Sequence, residues 1–159
     1  MKINLDIMLP PEKLDKDINL HILDKAREVY ENTSIKDIGY IIRVQKLISI
    51  SKVHIDSMSS FINVEGTYRI DTCYPDVGAV IHECNIHLIM NHGIFVKYYN
   101  IDILIPAATL SDYAFDHLNN TFVHKKTKQI VSKDTKIDVI ITDFRYQNKE
   151  FSCIAEIKI

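Results

Sequence analysis

Two glycine-bearing segments constrain this chain more than any polar residue does. Gly39-Tyr40-Ile41-Ile42-Arg43-Val44 reads as a loop glycine feeding a strand. Tyr74-Pro75-Asp76-Val77-Gly78-Ala79-Val80-Ile81 reads as a proline-marked joint that opens a second β-rich unit. The expected organisation is two small units in tandem, residues 1–75 and 76–159. A chain of 159 residues can bury a core without staples.

In the first unit, residues 3–9 alternate, with Ile3, Leu5, Ile7 and Leu9 on one face, and predict a strand that Pro10-Pro11 ends. Asp15 to Asp17 supply acidic starters. Ile18, Ile22, Ala26, Val29 and Tyr30 then recur at helical spacing and predict a helix over 17–31, packed on a sheet. Strands are expected over 38–50, 52–58 and 60–72. One helix on a small antiparallel sheet is an α+β layer. The 27 isoleucines favour strands throughout, although with 15 Lys and 10 Asn they also suit an AT-rich coding genome.

The second unit reads as strands over 77–90, 94–98 and 101–105, with a turn at Gly93 and a stop at Pro106. A polar, irregular stretch follows over 107–133, with a helical turn near Leu110 to Tyr113. A last hairpin covers 136–146 and 149–158, turning at Gln147-Asn148. Five short strands with one long excursion match an all-β barrel of the OB type.

Charge and cysteine content exclude several classes. Net charge is −2; residues 1–75 carry 10 basic and 11 acidic side chains, and residues 76–159 carry 9 and 10. Neither half is a basic module, so tight nonspecific duplex binding is not expected, and weaker single-strand contact stays open. Cys73, Cys84 and Cys153 form no C-x-x-C pair, which fits a reducing, intracellular compartment. No hydrophobic signal core is present and no apolar run approaches the roughly 18 residues a membrane span needs, so a soluble protein is expected.

No reactive signature competes with this layout. His82, Cys84, His87 and His92 suggest a metal cluster, but on a strand Cys84 and His87 face opposite ways and no second cysteine pair completes a zinc set. No serine sits in a G-x-S-x-G elbow, and four glycines form no phosphate loop. Asp112 and Asp116 read as a solvated loop more readily than as an acid–base pair. Neither metal nor cofactor is expected.

His124-Lys125-Lys126-Thr127-Lys128 is the local basic cluster, and two readings stay open: a solvated loop, or a track for a phosphate backbone. Phe95, Lys97, Tyr98, Tyr99 and Tyr146 could add stacking platforms. Period-2 geometry puts Phe95, Lys97 and Tyr99 on one face and Val96 and Tyr98 on the other, so only one set is exposed.

The run Ile7-Met8-Leu9-Pro10-Pro11, the helix, and Gly39 to Val44 resemble the stalk subunit of multisubunit DNA-dependent RNA polymerases. This family holds the seventh subunit of eukaryotic RNA polymerase II and its archaeal counterpart, E′. The similarity continues through Tyr68-Arg69-Ile70, Tyr74 to Ile81 and Asn91-His92-Gly93-Ile94-Phe95-Val96 to Ile137–Ile157, in colinear order along essentially the whole chain.

The resemblance implies an N-terminal tip domain with a truncated ribonucleoprotein-like fold and an S1-type OB barrel after it. It implies a non-catalytic subunit that docks on the polymerase core near the clamp base and pairs with a small helical partner resembling the fourth subunit. That partner is expected near Cys73 to Val77. The protein would aid initiation and contact nascent single-stranded RNA. Docking candidates are Lys36, Ile38, Gly39, Tyr40 and Ile41, together with Lys52 and His54 in a turn around Ser51 to His54. Gly39 is expected at positive φ, and tip-domain core is the other reading for Tyr40 and Ile41. RNA-binding candidates are Phe95, Lys97, Lys125, Lys126, Lys128 and Tyr146.

Two departures from the family pattern stand out. Ile50 to Ser60 lacks the glycines usual in the second tip turn. His92 and Leu104 occupy places where strongly RNA-binding S1 domains carry an aromatic and a histidine, which implies weak RNA contact. The compartment is the nucleus in a eukaryotic cell, or host cytoplasm or virion for a viral gene. The alternative reading is a free-standing S1/OB module for single-stranded RNA.

Overall fold

The computed structural model describes residues 1–158. The chain divides into two compact units, Met1–Cys73 and the residues from Tyr74 on. Among the described residues, one α-helix stands with twelve strands.

The first unit contains β1 (Lys2–Leu9), α1 (Ile18–Tyr30), β2 (Ser34–Ile35), β3 (Gly39–Ile55) and β4 (Ile62–Cys73). They form an antiparallel sheet in the order β1-β4-β3-β2, with α1 packed on one face. Uninterrupted alternation puts Leu5, Ile7 and Leu9 of β1 into the core beside Ile62, Val64, Tyr68 and Ile70 of β4. From α1, Ile22 and Ala26 are buried, while Val29 is exposed, contrary to the expected stripe. Tyr30, the last residue of that stripe, does face the core and donates its hydroxyl to the Asp6 carbonyl at 2.6 Å.

β3 is one strand through Ser51 and shows no break there, which corrects the expected pair of strands. Its register against β4 shifts between Ile41 and Arg43, Val44 and Lys46, Leu47 and Ser49, and Ile50 and Lys52. Each shift leaves one residue (Ile42, Gln45, Ile48, Ser51) without an opposite number. Three residues of β3 therefore run beside two of β4. The helix-side positions of β3 become Ile41, Val44, Leu47, Ile50 and Val53, a period of three that a two-residue template misreads; Ile41 and Val44 are buried, Leu47 partly so, and Ile50 and Val53 are exposed. The reversal into β4 lies at Asp56 to Phe61, where the Asp56 N–H donates to the Phe61 carbonyl at 2.8 Å, and not at Ser51 to His54.

The second unit is built on β5 (Val80–Met90), β6 (Gly93–Tyr98), β7 (Ile101–Pro106), β11 (Lys136–Gln147) and β12 (Glu150–Ile157). They close into a barrel in the order β11-β12-β7-β6-β5, with β5 returning to β11. Every pairing is antiparallel except β12 with β7. Ile86, Ile94, Val96, Ile103, Ile105, Val139, Ile141 and Phe151 fill its core. Gly93 is required at the β5–β6 corner: a Cβ there would clash with the Ile105 carbonyl oxygen. The β11–β12 turn falls on Asn148 and Lys149, one residue later than expected, with φ of 54° and 61°, the two positive values of a type I′ turn.

The stretch over 107–133 is not irregular. It carries β8 (Tyr113–Asp116), β9 (Thr121–His124) and β10 (Ile130–Val131) in a sheet ordered β10-β9-β8. Phe122 and Val131 are buried, and the rings of Phe115 and Phe122 lie 5.2 Å apart. The strands are too short, and the polar turn residues too dense, for alternation to reveal them. The helical turn sits at Ala107–Thr109, just before the expected place.

Candidate functional site

The β2–β3 connection presents Lys36 and Asp37 to solvent. Asp37 adopts φ 68° and Gly39 φ 110°, so the positive-φ expectation for Gly39 holds. Ile38 is half-buried against the core. Tyr40 and Ile41, offered as docking residues, are core: they are 2% and 0% exposed, and the Tyr40 hydroxyl donates to Asn32 Oδ1 at 2.9 Å. Burial fits their sequence, because β3 enters the sheet at Gly39 with a run of apolar residues. Lys52 and His54 are exposed, but on β3 and not in a turn.

At the true turn, the Asp56 carboxylate accepts the Met58 backbone N–H at 2.8 Å. That bond, followed by one from Ser59, holds its pKa below the usual value. Met58 and Phe61 expose apolar surface at this end of the hairpin.

On the barrel, alternation along β6 is decided: Val96 is 2% exposed and Phe95 36%. Phe95 and Lys97 share the outer face, and Lys97 lies 3.9 Å from Asp102 on β7. Successive registers place Leu88, Phe95, Leu104 and Ile154 side by side on β5, β6, β7 and β12. Leu88 and Ile154 are more than 40% exposed, and Leu104 is half-buried. Next to this apolar row runs a polar one: Asn85, Lys97, Asp102, Ser152 and Arg145. A cleft of about 360 Å³ opens between β5, β6, β7 and β12 and includes His87 in its lining. His87 and Leu104 line this cleft from β5 and β7, on either side of β6. Sequence reasoning weighed His87 only as a metal ligand and missed Arg145, because only the barrel register sets Arg145 beside Ser152 on this face.

Lys125, Lys126 and Lys128 lie together in the exposed β9–β10 turn. The ring of His124 organises it: Nδ1 accepts the backbone N–H groups of Lys126 and Thr127, both at 3.1 Å. The ring stands edge-on to Tyr113 at 5.0 Å. Tyr146 is not a free platform. It packs 5.0 Å from the buried Phe151 ring, in a cluster with Tyr74 and Phe144. The candidates thus fall into three places: Phe95 with Lys97 on β6, the lysine turn, and Tyr146 near the end of β11.

Elsewhere, His82 Nδ1 lies 3.2 Å from Asp138 Oδ2. The Asp138 carboxyl is held below its ordinary pKa, first by the Glu83 backbone N–H and then by His82. Cys84 is buried while His82, His87 and His92 are exposed. Among the described residues no three His, Cys, Asp or Glu side chains gather in metal-binding fashion. No described helix is long and apolar enough to cross a membrane.

A helix-backed antiparallel sheet followed by a closed five-stranded barrel defines the class, a tandem α+β and all-β protein. Residues 4–84 match the family described as the SHS2 domain found in N terminus of Rpb7p/Rpc25p/MJ0397. Two archaeal proteins are similar along most of the chain. The DNA-directed RNA polymerase subunit Rpo7 of Saccharolobus shibatae is 21% identical over 133 residues, spanning 82% of this chain and 73% of the relative. The protein of the same name from Saccharolobus solfataricus is 22% identical over the same shares. The chain belongs to this Rpb7 family of RNA polymerase stalk proteins.

Proposed function

We infer that this protein is a non-catalytic stalk subunit of a DNA-directed RNA polymerase. The observation that carries this reading is the family match over residues 4–84, joined to two relatives that are themselves named as polymerase subunits. In this reading the first unit is the tip that docks on the core near the clamp base. Its contact surface is the Lys36–Ile38–Gly39 turn together with Lys52 and His54 on β3. A small helical partner completes the stalk.

The barrel is read as an S1-type OB domain. Support comes from its closed order of five strands, with a parallel pairing of the third strand, β7, with the last, β12. Nascent single-stranded RNA would pass the Phe95 and Lys97 face, with Lys125, Lys126 and Lys128 as phosphate contacts. Leu104 and the apolar row offer one aromatic stack where a strong RNA binder offers more, so this contact is weak. The protein works by placing surfaces, restraining the clamp and aiding initiation, with no active site of its own.

Affinity purification of the tagged full chain from its native cell tests the reading. Large polymerase subunits and a small helical protein are expected in the eluate. Their absence, with the purified protein alone binding single-stranded RNA at micromolar affinity or tighter, would instead make it a free-standing RNA module.

A further inference from the structure

Three independent features meet at one edge of the first unit. β3 pairs with β4 along its length but with β2 only at Gly39 and Tyr40. Just beyond, α1 seals the edge: Arg27 donates to the carbonyls of Val44 and Gln45, both at 3.1 Å, and the Val44 N–H donates to Glu31 Oε1 at 3.2 Å. From Lys46 to Ile55 no strand or side chain among the described residues pairs with the outer edge. Unpaired strand edges are templates for another strand, and natural proteins leave long ones open only under restriction.

The solvent face of the sheet supplies the restriction. Lys2, Arg69 and Lys46 stand directly opposite one another on β1, β4 and β3, three like charges in one row that ends at the open edge. None of the three has an ion pair among the described residues. Like charges directly opposite on a sheet are destabilising, and an acid in the next place of the row would relieve them. The same edge borders a groove of about 460 Å³ lined by Leu20, Leu23, Leu47, Ile48 and Ile50, with the polar Asn19, Lys46 and Ser49 beside them. Leu20 and Ile50 are 56% and 40% exposed.

We propose that the free edge of β3 over 46–55 receives a β-strand from a protein partner. That strand carries an acidic residue beside Lys46, and apolar residues on its other face lie against Leu20 and Ile50. A basic strand is repelled by the cation row, and among the described residues that sheet face exposes no Phe, Tyr or Trp ring for RNA bases to stack on. The proposal rests on the stalk reading and deepens it: strand addition is how the first unit holds its polymerase partner.

Hydrogen exchange on the full chain, free and within the purified polymerase assembly, tests it. Amides over 46–55 are expected to exchange about tenfold or more slowly in the assembly, because added ladder bonds protect backbone groups. Lys46→Glu and Leu20→Asp, both at exposed positions, are each expected to lower recovery of polymerase subunits about tenfold, while Lys46→Arg and a control Lys133→Glu leave it unchanged. Intact assembly with unprotected 46–55 overturns strand addition and leaves the stalk reading standing. Protection that rises with concentration in the free chain makes the occupant a second copy and also overturns it. A tagged chain that brings down no polymerase subunits overturns both readings.

Discussion

Arg27 of α1 donates its Nε–H to the backbone carbonyl of Val44 on β3 at 3.1 Å, and its Nη2 reaches the next carbonyl, Gln45, at the same distance. A helix side chain thereby does what a neighbouring strand would do, at the point where the ladder on that side has run out. Arg27→Ala should destabilise the first unit by about 1–3 kcal/mol, since hydrogen bonds from a charged donor lie in that range. Denaturant midpoints of the full chain check this. Arg27→Lys should recover only part, because a lysine cannot span two successive carbonyls as a planar fork does.

Gly39 and Gly93 hold their units by different physics. Gly39, at φ 110°, occupies a conformation that side chains resist, so Gly39→Val should cost the first unit about 1–3 kcal/mol and weaken assembly with the polymerase. Gly93→Ala drives a Cβ into the Ile105 carbonyl and should unfold the barrel's β5–β6 corner. Near-ultraviolet circular dichroism and thermal unfolding distinguish the two. The first variant should lower the first unit's transition and the second the barrel's.

Tyr68 is fully buried, and its hydroxyl has no hydrogen-bond partner among the described residues. Burial pushes its pKa up to about 12, above the ordinary value of 10. The neutral form is the one the fold favours. Its contribution is therefore complete below pH 10 and lost as pH rises from 10 toward 12. Tyr68→Phe should be neutral or stabilising by up to about 1 kcal/mol at pH 7 and should flatten the alkaline limb of a stability–pH curve. A loss of more than that at neutral pH would mean the hydroxyl has a partner.

At the acid end, Asp71 is held below its usual pKa, first by the Gln45 amide and then by Arg43, whose Nη2 lies 2.8 Å from Oδ2. A depressed carboxylate contributes stability above the unfolded value of about 3.9, lost as pH falls through the folded value. Stability should decline below pH 4, and Asp71→Asn should make that decline shallower. Urea midpoints between pH 6 and pH 2.5 check it. An unaltered acid slope in the variant would remove Asp71 from the account.

The lysine turn predicts a salt effect. Replacing Lys125, Lys126 and Lys128 with Ala should lower the logarithmic salt slope of single-stranded RNA binding by about 2, at roughly 0.7 per phosphate contact. Phe95→Ala should weaken binding by about 1–3 kcal/mol without changing that slope. Fluorescence anisotropy across a salt series reads both. If the slope moves with Phe95 and not with the lysines, the assigned roles are reversed.

What the sequence made legible follows the regularity of each element. β1 was readable because Ile3, Leu5, Ile7 and Leu9 alternate without a break, and α1 because Ile18, Ile22 and Ala26 keep one face. The family was readable because weak motifs occur in the right order. β3 was misread because each bulge resets the alternation. Ile41, Val44, Leu47, Ile50 and Val53 share a face only once three residues are set beside two. The face that joins His87, Phe95, Leu104 and Arg145 depends on pairings between strands far apart in sequence, above all β12 with β7, and no local pattern encodes them.

The spare residues of β3 also act as adjustable joints. Each of Ile42, Gln45, Ile48 and Ser51 bends the strand without owning a place in the ladder. Loss or gain of one of them would leave the neighbouring pairs matched and yet turn the hairpin end toward a new direction. The aim of that end can thus change by single-residue insertion or deletion while the core and its pairings stay as they are.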